Sequence, residues 1–408
     1  MKKNKLLWLF ELVIFLDMIN GAYPWFFWNV KASYLNLLFA VISILYLKIN
    51  GIKLQMSNYG VGLLLLFAST FFNVNSASVS ERIFQLLFFV PIWVLTCDVR
   101  NSQRIFTMTA KWLSILLVPS IILHLLFLAI GFPPSVIIIN ENAPDNYVYF
   151  NYFFLIKNIV MEDYQIRFCS IFLEPGYIGT LLSFLLYVGK FDFKKRYNLI
   201  LLVALLLTIS LAGFVISAMG WVFIKLQEGK SIKRLFYILA VLGCIYWGGI
   251  SYNGGRNVLN EKILSRLQYD EDKGISGNNR TSHLADAYFE QYTNNGQILF
   301  GVGNQTIRKI NGGSAKGASF NDQIRGAGYK IFFMRNGIVQ ALIILIGYMY
   351  IMRKSNRKYS VCFLLLIIIT FIQASYPLSS SWLIPFVFGC LLNKKKYENR
   401  NTDISSCS

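Results

Sequence analysis

The chain has 408 residues, of which 55% are hydrophobic and only 14% are charged, and its mean hydropathy is +0.50. Soluble globular proteins carry about 25% charged residues, so this composition excludes an ordinary soluble protein. The continuous apolar run from Leu116 to Ile130 differs from the alternating segments of about 10 residues that form outer-membrane barrels. The sequence therefore predicts an all-α polytopic integral membrane protein, with residues 1–408 forming a single transmembrane domain.

Apolar stretches recur along the chain at lengths close to the roughly 20 residues that a helix needs to cross a bilayer. We predict about twelve transmembrane helices, at residues 6–28, 34–49, 59–73, 83–97, 105–131, 176–190, 197–210, 212–225, 235–250, 331–352, 359–374 and 382–392. Four connections, 190–196, 225–234, 353–358 and 394–400, each hold four cations. Because Lys and Arg are concentrated in cytoplasmic loops, these connections and both termini are expected in the cytoplasm. The net charge of +19 then follows from topology and does not indicate nucleic-acid binding.

Residues 198–224 allow two interpretations. As one long tilted helix they would invert every later loop and move a cation-rich connection outside. As two short helices hinged near Ser210 to Gly213 they keep the charge pattern. Loosened backbone is tolerated in a membrane only where protein or water shields it, so Ser210, Gly213 and Ser217 are expected to face the bundle interior.

This topology leaves two long extracytoplasmic loops, residues 132–175 and 251–330. They form the only extended polar surface, whereas the cytoplasmic loops are too short to build a site. The six cysteines show neither a disulfide framework nor metal-ligand spacing. The activity is therefore expected on the extracytoplasmic side, without a metal or cofactor.

The first long loop ends with a cation and a carboxylate next to a predicted helix. Arg167 precedes Glu174 and Pro175, and the sixth predicted helix follows. Proline suits a first helical position, so the free N–H groups of Gly176 and Tyr177 could hold an anion. Glu174 is expected to orient an arginine, to accept a hydroxyl proton, or simply to cap the helix.

A second group of charged side chains lies in the other long loop. As one helix, Arg280, His283, Asp286 and Glu290 share a face. Such a stripe is most often merely solvated, but several cations follow it: Arg308, Lys309, Lys316, Arg325 and Lys330. The Gly301–Gly303 sequence lacks the spacing of phosphate-binding loops, and a turn explains it equally well.

Few ionisable residues fall within the predicted spans. Glu11 and Asp17 are six residues apart and do not share a helical face, and no cation lies near them in sequence. A proton relay through them is one interpretation, since intramembrane charges are functional candidates. His124 is expected to make an interhelical hydrogen bond.

Three stretches carry a family resemblance. Arg167 to Tyr177 contains an arginine followed by Glu-Pro-Gly before a helix, Gly277–Arg280 is followed by Phe300–Gly303, and Gly328–Ile338 enters a helix and ends in a Gly-Ile pair. With about a dozen helices and two long outer loops, they resemble the Wzy-type O-antigen and capsular polysaccharide polymerases, which are related to the O-antigen ligases. Ligases usually carry a His-Asn pair near the position of Gly328 and Tyr329, so the departure favours a polymerase.

The resemblance implies an enzyme of the bacterial inner membrane. It implies transfer of a glycan chain from undecaprenyl diphosphate onto a lipid-linked oligosaccharide repeat unit at the extracytoplasmic face. The partners implied are that lipid-linked oligosaccharide, membrane lipid, a chain-length regulator and a flippase, with no nucleic acid.

The chemistry of the leaving group assigns the expected site residues. A diphosphate suits arginine, whose planar fork binds phosphate bidentately, and a carboxylate or histidine could deprotonate the acceptor hydroxyl. The expected catalytic residues are Arg167, Glu174, Arg280, His283 and Asp286. The expected substrate-binding residues are Gly176, Tyr177, Arg325, Tyr329 and Lys330.

Two alternatives stay open. A flippase for lipid-linked oligosaccharides also has about twelve helices, but its cations should line a central cavity between short loops. Here the predicted spans contain almost no cations and the outer loops are long. A non-catalytic assembly partner is the third interpretation.

Overall fold

The computed structural model describes most of the chain. The described residues are 2–54, 57–72, 79–139, 148–160, 165–229, 247–248, 251–252, 269–270, 274–275, 282–312, 328–374 and 376–394. All structural statements below concern these residues.

The described residues are mostly helical. Their α-helices, in chain order, are α1 Lys2–Asn20, α2 Ala32–Asn50, α3 Asn58–Ser69, α4 Val79–Cys97, α5 Ser102–Ile130, α6 Pro175–Val188, α7 Arg196–Leu207, α8 Leu211–Gln227, α9 His283–Asn294, α10 Gly303–Gly312, α11 Gly328–Met352, α12 Arg357–Gln373 and α13 Ser380–Leu392. Eleven of the twelve apolar segments predicted from the sequence therefore coincide with helices. The remaining one, residues 235–250, lies largely outside the described residues.

Several helices have the composition of membrane spans. Among the described residues, α2, α5 and α11 are long and apolar enough to cross a membrane. Shorter apolar helices accompany them: Asn58–Ser69, Ile83–Cys97, Pro175–Val188, Arg196–Leu207, Leu211–Gln227 and Ser380–Leu392. The fold is thus a bundle of apolar helices, as a membrane protein requires.

Helices α6, α7 and α8 pack against one another in alternating directions. Gly179 near the start of α6 abuts Ser210, whereas Tyr187 near its end abuts Gly220, so α6 and α8 are parallel. Between them α7 runs the other way, because Asn198 in its first turn abuts Gly189 after the end of α6. The prediction of two short helices is confirmed, and the single-helix interpretation is wrong. Below, the upper end of the bundle is the end where α6 begins, and the lower end is the opposite one.

The hinge between α7 and α8 lies in the bundle interior, as predicted. Ser210 is the N-cap of α8 and accepts a hydrogen bond from the backbone N–H of Gly213 at 3.3 Å. The Ser217 hydroxyl donates to the Ser183 hydroxyl of α6 at 2.9 Å. These small residues let α6 and α8 approach closely, which is how helices pack in the absence of water.

The first helix is shorter than predicted. It ends at Asn20, whereas the sequence suggested a span to residue 28. Tyr23 has a φ of 57°, which a right-handed helix does not allow. Pro24, which has no N–H to donate, instead forms an isolated bridge with Phe172. Residues 21–28 therefore belong to the loops of the upper end.

Helices α6 and α13 form the centre of the bundle. Twelve of the fourteen residues of α6 are buried, and α13 is buried from Ser380 to Leu391. Helices of this length span about 20 Å, less than a hydrocarbon core of about 30 Å. Both begin at the upper end, where the Ser379 and Ser381 hydroxyls donate to the carbonyl oxygen of Gly21 at 3.0 and 3.1 Å.

The prediction of an all-α fold needs one correction. The first long loop contains a three-stranded antiparallel sheet of β1 Val136–Ile139, β2 Val148–Asn151 and β3 Ile156–Asn158, in that order. Two further strands, β4 Tyr269–Asp270 and β5 Gly274–Ile275, pair in the second. The β-branched run Val136–Ile139 is typical of a strand.

Helix α11 is broken near its upper end. Gly337 has a φ of 82° and a ψ of 162°, a conformation open almost only to glycine. A side chain there would strike the backbone of Leu299 and Phe300, and one at Gly301 would strike the backbone of Arg335. The turn at residues 299–303 is therefore packed against the break, which confirms the turn interpretation of the glycine pair.

Candidate functional site

Arg167 is buried at the upper end of the bundle, beside the turn between α7 and α8. Only 6% of its surface is exposed, and its Nε donates to the carbonyl oxygen of Thr208 at 3.3 Å. The N–H of Phe168 donates to the carbonyl oxygen of Leu207 at 3.0 Å. Carbonyls in the last turn of a helix lack intrahelical donors and favour a cation. Arg167 therefore fixes this hinge and adds positive charge to the upper end.

A second buried cation supports the segment that carries Arg167. Lys157 is 1% exposed, and its Nζ lies 2.9 Å from His124 Nδ1. The same amine donates to the carbonyl oxygens of Gln165 and Arg167. Burial lowers the pKa of Lys157 to about 8. His124 thus contacts a strand residue of the long loop, and the prediction that it bonds across helices is wrong.

Glu174 lies at the start of α6, and Pro175 occupies the first helical position, as predicted. The Glu174 side chain makes no capping hydrogen bond, so the simple capping interpretation is wrong. The macrodipole of α6 favours a negative charge at this position. A Cβ added at Gly176 would meet no atom within 4 Å, so the first turn of α6 is open on that side.

Three tyrosines, Tyr23, Tyr177 and Tyr376, form a cluster beside Glu174. The ring centroids of Tyr23 and Tyr177 are 5.3 Å apart, and those of Tyr177 and Tyr376 are 5.6 Å apart. Tyr23 is 42% exposed and Tyr376 is 37% exposed. The N–H of Leu173 donates to the carbonyl oxygen of Tyr23 at 3.1 Å, which fixes the cluster to the Glu174 segment. This tyrosine cluster is therefore anchored to the Glu174 segment and partly exposed.

In the second long loop, α9 begins later than the charged stripe suggested. Ser282 is its N-cap and accepts a hydrogen bond from the N–H of Ala285 at 3.1 Å. The predicted helical face is therefore described only from His283 onward. Arg280 and Arg325 lie outside the described residues. His283 is exposed on α9.

Lys330 and Asp286 form an ion pair at the upper end. Their Nζ and Oδ1 atoms are 2.6 Å apart, with the two side chains 21% and 49% exposed. Lys330 Nζ also lies 5.6 Å from the centre of the Phe289 ring. The ring centroids of Phe289 and Tyr329 are 6.2 Å apart. An exposed pair contributes only about 0–1 kcal/mol to stability. Its contribution to folding is therefore small, and its charges are accessible to a ligand.

The two long loops meet through the connection between α12 and α13. Gly328, next to Tyr329, is pressed against the backbone of Ala374. Two residues later, Tyr376 contacts Tyr177 of the tyrosine cluster. Ring contacts between Phe333 and Phe371, 5.9 Å apart, complete the junction. Glu174, the tyrosine cluster and the Lys330–Asp286 pair therefore lie at the same end of the bundle, linked through the connection between α12 and α13.

This end of the bundle combines three chemical capabilities. Lys330 can neutralise an anionic group, and the carboxylates of Glu174 and Asp286 can accept a proton. The tyrosine rings can stack on an apolar face of a ligand. No group of three or more His, Cys, Asp or Glu residues suited to a metal occurs among the residues described above.

Three residues of the site were not foreseen from the sequence. Tyr23 belongs to an aromatic run explained equally well by the membrane interface. Tyr376 lies in a short loop, and Lys157 lies in a strand without any motif. Each acquires its place through contacts with residues distant in sequence, as in the contacts of Tyr23 with Tyr177, 154 residues later, and with Tyr376, 353 residues later.

No protein-family model, curated protein or solved structure matches the chain. The function must therefore be argued from the geometry and chemistry of the described residues.

Proposed function

We propose that the protein is a polysaccharide polymerase of the bacterial inner membrane. It transfers a glycan chain from undecaprenyl diphosphate onto a lipid-linked oligosaccharide repeat unit at the extracytoplasmic face. It crosses the membrane twelve times, and both termini are cytoplasmic. The observation that carries the proposal is the junction of the two long loops, which gathers a cation, two carboxylates and three tyrosines at one end of an apolar bundle.

The distribution of charge supports the orientation. The cation-rich connection Lys190–Arg196 follows the lower end of α6, and Arg353–Lys358 joins the lower ends of α11 and α12. Cytoplasmic loops carry such an excess of Lys and Arg. The upper end, where the candidate site lies, is then the extracytoplasmic one.

The site suits a displacement at an anomeric carbon. An acceptor hydroxyl oxygen forms the new bond to that carbon while the bond to the phosphate oxygen breaks, and undecaprenyl diphosphate leaves with the electron pair. Glu174 or Asp286 takes the hydroxyl proton, with His283 at the start of α9 as a further candidate. Lys330 neutralises the leaving diphosphate, and such stabilisation of developing charge is often the largest catalytic contribution.

The remaining cations have supporting roles in this proposal. Arg167 adds positive potential while holding the α7–α8 hinge. Arg280 and Arg325 are proposed as further diphosphate ligands. Gly176 and Tyr177 offer an open helix N-terminus, and Tyr329 lines the approach to Lys330.

Glycan analysis of cells that carry Lys330→Met tests the proposal. Because the change removes the cation but keeps an apolar stem, long polymer should fall at least tenfold while single repeat units persist at the surface. Lys309→Met is the matched control, since Lys309 is an exposed lysine of α10 that lies outside the site. Its polymer should match that of the wild type.

A deletion strain separates the proposal from its alternative. Loss of polymer with one repeat unit retained is expected of a polymerase. Loss of all surface repeat units would indicate a flippase and would overturn the proposal.

A further inference from the structure

An open groove lies on the second long loop, at the far end of α9 from Asp286. It has a volume of about 680 Å³, within the range of roughly 300–1,000 Å³ that small-molecule sites occupy. The end of α9, the 3₁₀ helix Gln297–Leu299 and the start of α10 form its walls. The side chains that line it are Tyr292, Asn295, Gln297, Phe300, Val302 and Thr306.

The lining of this α9–α10 groove carries no charge, although the protein has a net charge of +19. The amides of Asn295 and Gln297 offer both donors and acceptors, and Thr306 adds a hydroxyl. Phe300 is 61% exposed and presents an aromatic face. A phosphate would find no cation here, and a lipid chain would cover polar amide and hydroxyl groups at a cost. Neutral donors and acceptors beside an aromatic ring suit a sugar, which has hydroxyls at its edges and an apolar C–H face.

The groove is held in shape without a ligand. The Asn295 side-chain amide donates to Gln297 Oε1 at 3.0 Å, and the Gln297 N–H donates to Asn295 Oδ1 at 3.1 Å. The N–H of Val302 donates to the carbonyl oxygen of Met334 at 2.8 Å, which ties the floor to α11. A preformed site loses less entropy when a ligand binds.

We propose that the α9–α10 groove binds neutral sugar residues of the glycan. Asp286 and Asn294 are separated by eight residues on α9, which corresponds to about 12 Å at a rise of 1.5 Å per residue. A glycan held in the groove is thus retained a few sugar residues from the ion pair. This placement relative to the chemistry rests on the proposed function, whereas sugar binding itself does not.

Direct binding tests the groove. The full-length protein in nanodiscs is titrated with the repeat-unit oligosaccharide released from its lipid by mild acid, and contact is read by saturation-transfer NMR. Phe300→Ala and Asn295→Ala should each weaken binding at least tenfold. Leu299→Ala is the matched control, because Leu299 is 48% exposed and adjacent but does not line the groove. Wild-type affinity in both groove variants, or displacement of the oligosaccharide by inorganic pyrophosphate, would overturn the proposal.

Chain length distinguishes failure of the groove from failure of the proposed function. In cells, Phe300→Ala should shorten the polymer while polymerisation continues, because a growing chain is released sooner. If the protein makes no polymer but Phe300→Ala still weakens oligosaccharide binding, the groove stands and the polymerase proposal falls. If polymer forms and neither its length nor oligosaccharide binding depends on Phe300, the groove proposal falls alone.

Discussion

Two carboxylates of α1 are removed from solvent, but they differ in their partners. Glu11 is 0% exposed and pairs with Arg104 at 2.7 Å, although the two residues are 93 positions apart in sequence. Asp17 is 1% exposed, and neither of its carboxylate oxygens has a hydrogen-bond partner among the described residues. An unpaired buried polar group costs about 1–3 kcal/mol, and a charged one costs more.

Exchanging each carboxylate for its amide should therefore have opposite effects. At alkaline pH, where the carboxylate is driven to ionise without a partner, Asp17→Asn should raise the stability of the protein by about 1 kcal/mol. Glu11→Gln should lower it by about 1 kcal/mol, because a charge-assisted hydrogen bond is lost. Thermal unfolding in detergent measures both. A lower midpoint for Asp17→Asn would show that the Asp17 carboxylate stabilises the protein, and would contradict the argument that it has no partner.

The buried amine of Lys157 predicts a pH dependence. Its pKa is lowered from 10.5 to about 8 by burial, so between these values the unfolded chain binds more protons than the folded one. The contribution of Lys157 to the free energy of unfolding should then rise with pH, by about 1 kcal/mol between pH 8 and 9. Below pH 8 the full penalty is present.

A matched variant isolates this effect. Cys169 beside Lys157 has a pKa raised from 9.0 to about 11 by burial, which works in the opposite direction above pH 9. The unfolding midpoints of the wild type and of Lys157→Met are measured from pH 7.5 to 9. Because both proteins contain Cys169, the difference between their midpoints reports on Lys157. Parallel curves for the two proteins would show that the amine does not titrate in this range.

At the scale of elements, the helices were the most predictable part of the chain. Apolar runs such as α5 and basic connections such as Lys190–Arg196 are consequences of the bilayer itself, so composition reveals them. The hinge at Ser210 was predictable because the charge pattern required it. The end of α1 at Asn20 was not predictable, because the residues that follow are as apolar as the helix. They leave the helix because Pro24 pairs with Phe172, which is distant in sequence.

A substitution at the break in α11 tests whether the broken helix is required for stability. Gly337→Ala should destabilise the protein by about 3 kcal/mol or more, because a Cβ is strained at this φ and would strike the backbone of Leu299 and Phe300. Gly176→Ala is the matched control in α6, where a Cβ meets nothing within 4 Å. Folded yield and the thermal midpoint measure both, and equal values would show that the break is not required.

At the scale of the whole molecule, the sequence predicted which segments carry the site but not how they meet. Arg167, Glu174 and Asp286 were recognisable because charge is rare in this chain and helix starts have signatures. The contact of Gly328 with Ala374 and the approach of Tyr376 to Tyr177 depend on how helices pack, and apolar helices carry little information about their neighbours. Lys330 was predicted as a substrate-binding residue, but its pairing with Asp286 was not predicted.

The most direct measurement is reconstitution of the purified protein in liposomes with an undecaprenyl-diphosphate-linked repeat unit. A polymerase should produce a ladder of lipid-linked products, with one undecaprenyl diphosphate released for each transfer and at least a tenfold loss of products in Lys330→Met. Repeat units that cross the bilayer without being joined, or a ladder that forms equally well in Lys330→Met, would contradict the proposed function.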